Sequence, residues 1–126
     1  MSRRPSPTLT EAELEIMQVV WNLGEATVRE VHEALLERRQ TAYTTVMTTM
    51  GILADKGHLE RTKDGRAFVY RPVESKGHVI SGMVQDFVDR VFDGSARPLL
   101  VRLIKDRRLS AEDLEEVRRM IEESER

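Results

Sequence analysis

The stretch Thr41–Pro72, TAYTTVMTTMGILADKGHLERTKDGRAFVYRP, changes its period halfway. Up to Lys56 the apolar residues recur at helical spacing. With Val46 at the centre of an inner face, Ala42, Thr49, Met50 and Leu53 fall within about 60° of it, at about 100° per residue. Gly57 is the stop signal. From His58 the pattern becomes that of a hairpin, and Asp64-Gly65 is the strongest short-range sign of a type I′ turn. That turn predicts Lys63 opposite Arg66, Arg61 opposite Phe68, and Leu59 opposite Tyr70, with Pro72 closing the strand. Leu59 and Tyr70 are expected to pack inward, and Arg61, Lys63 and Arg66 to lie toward an exposed tip.

The helical half is rich in threonine: Thr41, Thr44, Thr45, Thr48 and Thr49. Threonine is a poor helix former because β-branching restricts χ1. A helix face meant only for solubility would be better served by Glu, Lys or Gln. Thr44 and Thr48 point away from Val46, flanked by Thr45 and Met47, so the outer surface carries hydroxyls and methyls with almost no charge. Such groups hydrogen-bond base edges and touch the thymine methyl, and short side chains let a helix sit deep in the major groove. Thr41 is the expected N-cap, and the free N–H groups beside it suit a phosphate.

Upstream, LTEAELEIMQVVWNLG reads as a helix with Leu9 as a hydrophobic staple, a Thr10/Glu13 capping box and Gly24 as its end. Leu14, Met17, Val20 and Trp21 share a face. TVREVHEALLERR repeats the arrangement, with Thr27 capping and Glu30 three residues on. Helix, helix, threonine-rich helix and basic hairpin together form the layout of a winged helix-turn-helix. Downstream the chain is helical again. One helix spans about 75–92, with Ile80, Val84, Phe87, Val88 and Val91 along a stripe. Asp93-Gly94-Ser95 breaks it, PLLVRLIKD is a short apolar helix, and Ser110 caps a last one bearing Leu114, Val117 and Ile121.

The expected fold is mainly α with a small β-hairpin wing: a winged helix-turn-helix at 9–73, then a three-helix dimerisation arm at 74–126, preceded by a disordered arm at 1–8. So small an arm cannot bury its own apolar faces. Val79, Met83, Phe87, Val91, Leu99, Leu100, Leu103, Ile104, Val117 and Ile121 are expected to meet a second copy, making a homodimer.

The 126 residues suit one small domain with an appendage, and 40% hydrophobic with 33% charged residues suit a globular chain. The net charge of −2 conceals a local excess. Between residues 38 and 71 there are seven basic residues (Arg38, Arg39, Lys56, Arg61, Lys63, Arg66 and Arg71) against three acidic ones (Asp55, Glu60 and Asp64). A basic patch on a near-neutral chain fits a phosphate-binding face. The absence of cysteine excludes disulfides, thiolate metal sites and cysteine nucleophiles. His32, His58 and His78 are scattered, with no second ligand at metal spacing, so no metal is expected. No catalytic constellation or phosphate-cradling loop is evident, so neither an enzyme nor a cofactor is expected. No apolar run approaches the ~18 residues of a membrane span, and a cytoplasmic location is expected. Arg3 and Arg4 in the leading arm are candidates for the minor groove.

The segments LTEAELEIMQVVW, ATVREVHEAL, AYTTVMTTM and DKGHLERTKDGRAFVYRP, with the helical tail, resemble the BlaI/MecI-type penicillinase repressors over about residues 9–122. The resemblance implies a winged helix followed by a three-helix dimerisation arm. It also implies a homodimeric repressor on a pseudo-palindromic double-stranded DNA operator. Tyr43, Thr44, Thr45, Met47 and Thr48 would supply its groove contacts. Lys63 and Arg66 would supply backbone contacts, with Arg61 beside them at the wing. A regulatory protease is a further implied partner, since in the best-known members a membrane sensor signal ends in cleavage. The chain departs from the pattern at Gly51-Ile52, where many members carry a bulkier residue and an arginine, and DGSARPLL lacks the Asn-Phe junction. Two rival readings remain. One is a winged helix used only for protein contacts, and the other is a ligand-gated regulator with a pocket between head and arm.

Overall fold

The computed structural model describes residues 9–126, so the leading arm with Arg3 and Arg4 lies outside the described residues. Six helices and one hairpin follow in order: α1 (Glu11–Leu23), α2 (Val28–Leu36), α3 (Tyr43–Asp55), β1 (Leu59–Asp64), β2 (Ala67–Pro72), α4 (Lys76–Phe92), α5 (Ala96–Lys105) and α6 (Ala111–Ser124). The architecture is mainly helical, as expected.

Local chemistry accounts for the helix starts. The Thr10 hydroxyl accepts from the Glu13 N–H at 3.1 Å, and the Glu13 carboxylate accepts from the Thr10 N–H at 2.9 Å. Thr27 with Glu30 and Ser110 with Asp113 close the same reciprocal box at α2 and α6. Helix α3 is different. The expectation that Thr41 caps it does not hold: its N-cap is Ala42, which has no side-chain oxygen, and no side-chain bond closes the first turn. Thr41 instead offers its carbonyl to the ring of His32 at 2.8 Å.

The chain divides into two compact units, one ending at Val84 and one running Gln85–Arg126. In the first, the core is built where three helices and the hairpin meet. Ile16, Met17 and Val20 of α1 and Val31 and Leu35 of α2 are buried there. Val46, Met50 and Leu53 of α3 join them, with Leu59 and Tyr70 of the hairpin. Leu9, just ahead of α1, is buried with this core. On α3 the inner face is narrower than the helical wheel suggests, since Thr49 is half-buried and Ala42, at the cap, is exposed. Val79 of α4 belongs to this core, and Met83 packs against it. That accounts for the first unit taking in the start of α4.

The hairpin pairs in a different register from the expected one. Leu59 faces Pro72, Arg61 faces Tyr70, Lys63 faces Phe68 and Asp64 faces Ala67. The central turn residues are therefore Gly65 and Arg66, not Asp64 and Gly65. Glycine carries the positive φ, +65°, while neither Asp64 nor Arg66 has one. A type I′ turn needs positive φ at both central residues, whereas a II′-like turn needs it at the first alone, which Gly65 adopts at no steric cost. The slip is two residues, so each side chain keeps its face, and Leu59 and Tyr70 are still buried. The sheet also gains an anchor with no sequence signature. Ala26, between α1 and α2, exchanges both backbone bonds with Tyr70, at 3.0 and 2.8 Å.

In the second unit, Asp93 and Gly94 turn the chain after α4, both at positive φ. Arg118 bridges Glu115 and Glu122 along α6. Neither α5 nor α6 contains a buried residue. No helix among the described residues is long and apolar enough to cross a membrane.

Candidate nucleic-acid interface

The outer face of α3 is the first wall of the site. Tyr43 and Met47, one helical turn apart, are each nearly half exposed, at 45% and 46%. Thr44, Thr45 and Thr48 are exposed beside them and, with Thr49, line a shallow depression. Thr49 turns its hydroxyl back, donating to the Thr45 carbonyl at 2.9 Å. That leaves Thr44, Thr45 and Thr48 as the outward hydroxyls, none of them hydrogen-bonded among the described residues.

The wing is the second wall. A groove of about 580 Å³ runs between it and α3, lined by Tyr43, Met47, Arg61, Arg66 and Phe68 with Thr27, Val28, Arg29, Ala67 and Tyr70. The expected contact residues Tyr43, Met47, Arg61 and Arg66 thus share one groove. Thr44, Thr45 and Thr48 occupy the neighbouring depression, and Lys63 lies exposed on β1 without lining either. The Arg61 guanidinium lies over the Phe68 ring at 5.0 Å, a cation–π contact that holds a flexible side chain on the wing.

Ion pairing sorts the seven basic residues. Arg39 reaches Glu15 at 2.5 Å and Arg71 reaches Glu25 at 2.7 Å. Lys56 reaches Glu13 at 2.8 Å. These three serve the fold. The hydrogen bond from Arg39 holds the Glu15 carboxyl below its ordinary range. At Glu13, burial pushes the carboxyl up, but the Lys56 bond and the two bonds with Thr10 outweigh it and set the net shift downward. Arg38, Arg61, Lys63 and Arg66 form no ion pair among the described residues, and the last three stand on the hairpin. Unpaired cations beside an uncharged helix face suit a ligand that brings its own anions at its edge.

Six of the groove residues were not assigned to the site by sequence reasoning, Arg29 and Phe68 among them. Phe68 was read only as a strand partner. Arg29 sits in the first turn of α2 and pairs with Glu33 at 3.1 Å. Its place after the Thr27 cap was the available signal. The three histidines lie apart: His58 is buried, His78 pairs with Glu74 at 3.2 Å, and His32 meets Thr41 and Tyr43.

The ten arm residues fall into two groups. Val79 is buried in the head core and Met83 packs against it. Phe87, Val91, Leu100, Ile104 and Ile121 are exposed, and Leu99, Leu103 and Val117 are half-buried. Val101 and Met120, also exposed, extend the apolar surface of that unit.

Residues 9–123 match the family model described as penicillinase repressor. The chain is 37% identical to the transcriptional regulator BlaI of Mycobacterium tuberculosis over 119 residues, covering 93% of this chain and 85% of the relative. It is 29% identical to the penicillinase repressor of Bacillus licheniformis, covering 93% and 91%. Among solved structures it is similar to the DNA-binding domain of the repressor BlaI, at 32% identity and a TM-score of 0.53, covering 60% of this chain and 90% of that one. It is also similar to monomeric Bacillus licheniformis BlaI in complex with the blaP half-operator, at 30% identity and a TM-score of 0.50, covering 60% and 92%. The part these structures share with the chain is that of the winged helix, and the match to the family model spans head and arm alike: the chain belongs to the penicillinase repressor family.

Proposed function

We propose that this chain is a transcriptional repressor that binds a pseudo-palindromic DNA operator as a homodimer. Helix α3 enters the major groove, where Thr44, Thr45 and Thr48 meet base edges and Tyr43 and Met47 supply apolar and aromatic contact. Arg61, Lys63 and Arg66 grip phosphates beside that groove. The observation that carries the reading is the pairing of an uncharged, hydroxyl-bearing helix face with a wing on which Arg61, Lys63 and Arg66, unlike Arg71, are not spent on carboxylates among the described residues. A winged helix used only for protein contacts would not need that division of charge. Kinship with a BlaI in complex with a half-operator supports operator binding.

The homodimer rests on the exposed apolar side chains of Gln85–Arg126, which α5 and α6 leave without a buried residue. Two copies double the phosphate contacts and match the two-fold symmetry of a palindrome. Such a repressor acts in the cytoplasm, where the chromosome is. Release by a protease is the less supported element, because the single asparagine, Asn22, precedes Leu23 and the Asn-Phe junction has no counterpart.

Fluorescence anisotropy of labelled duplexes at rising salt tests the reading. Each neutralised phosphate contributes about −0.9 to the slope of log K against log salt, so a steep fall is expected. Salt-insensitive binding, or none, would overturn it.

A further inference from the structure

We propose that His32 is a positioning residue for Tyr43, holding that ring where it reads a base step; the inference rests on α3 being the recognition helix. Helix α3 starts without a side-chain cap, unlike α1, α2 and α6, each closed by a reciprocal box. Its first N–H groups are thereby left open to a phosphate, and its first residue, Tyr43, has no tether from a cap of its own.

His32 of α2 supplies the tether. Its Nε2 lies 2.8 Å from the Thr41 carbonyl oxygen. A carbonyl can only accept, so Nε2 carries a proton, and this bond orients the imidazole. The oriented ring then meets the Tyr43 ring edge-to-face, with centroids 5.6 Å apart and planes at 86°. His32 is half-buried, whereas Tyr43 is 45% exposed on the groove and its hydroxyl makes no hydrogen bond among the described residues. One end of the tyrosine is clamped and the other is presented. An exposed aromatic that is already ordered loses less rotamer freedom on binding.

A histidine that merely packs in the α2–α3 turn would show the same contacts, so the test is coupling. Dissociation constants for a selected operator are measured with the full chain for wild type, His32→Gln, Tyr43→Ala and the double variant, with thermal unfolding as the fold control. His32→Gln keeps an N–H for Thr41 and removes the ring. It is expected to weaken binding about three- to tenfold, the worth of one aromatic pair, and to relax preference at the base step that Tyr43→Ala relaxes. In the Tyr43→Ala background it should cost nothing further. Equal losses in both backgrounds, or no loss in the wild-type background, would overturn the inference alone. A wild-type chain with no sequence preference would overturn the recognition-helix reading and this inference with it.

Discussion

The Lys56 ammonium lies 2.8 Å from the Glu13 carboxylate, tying the last turn of α3 to the first turn of α1. The carboxylate side is nearly buried, at 5% exposure, and the lysine is about one-third exposed. A basic residue at the end of α3 is thus committed to fixing that helix on its scaffold. Lys56→Met leaves a buried acceptor short of a partner, which costs about 1–3 kcal/mol and should appear as a lower urea midpoint. The pH dependence has a definite sign. Glu13 titrates below its ordinary 4.5 in the folded protein, so its contribution is complete above that value and is lost as pH falls through the folded pKa. In Lys56→Met the acid limb of the stability profile should move to higher pH.

Groove and wing substitutions should separate. Thr48→Ala is expected to cost about 1–3 kcal/mol on the preferred duplex and to relax preference at one position. Lys63→Ala should weaken all duplexes alike and flatten the salt slope by about one unit. Arg71→Ala is the contrast, since its guanidinium is held by Glu25 and should leave that slope unchanged. Anisotropy titrations on matched and scrambled duplexes distinguish the three.

Gly51 lies within α3 at ordinary helical φ, and a Cβ built there meets nothing within 4 Å. Gly51→Ala should therefore stabilise the chain by about 0.5–1 kcal/mol, the helix-interior difference between the two residues. Differential scanning calorimetry should show a raised Tm, and a lowered one would mean that the helix needs glycine for a reason other than space.

Within α4 two valines should fail in different ways. Val79 is 6% exposed and belongs to the head core, so Val79→Asp should unfold the head. Val91 is 54% exposed, so Val91→Asp should leave the helical content intact and shift the chain toward monomer. Light scattering with circular dichroism reads both. A Val91→Asp chain that stays fully dimeric would move the dimer contact elsewhere.

The helices were legible because their signals are local. Thr10/Glu13, Thr27/Glu30 and Ser110 mark starts by side chains three residues apart, and Val46, Met50 and Leu53 mark a buried stripe. The hairpin register was not legible, because two turn types differ only in which residue takes positive φ, and both place glycine at Gly65. The Ala26–Tyr70 bridge and the His32–Tyr43 contact join residues far apart in sequence or on successive helices through backbone groups and ring edges, which no residue pattern encodes. The site was half legible. Composition and helical spacing point to Met47 and the threonines, whereas Tyr43 is implied only by the family resemblance. Which cations stay unpaired depends on where Glu13, Glu15 and Glu25 come to rest.

The most direct measurement of the central claim is selection of bound duplexes from a random DNA library by the full-length chain, with its mass in solution determined alongside. The account predicts a dimer and an enriched palindrome whose half-sites lie about one helical turn, or a multiple of it, apart. A folded protein that enriches no sequence would contradict it.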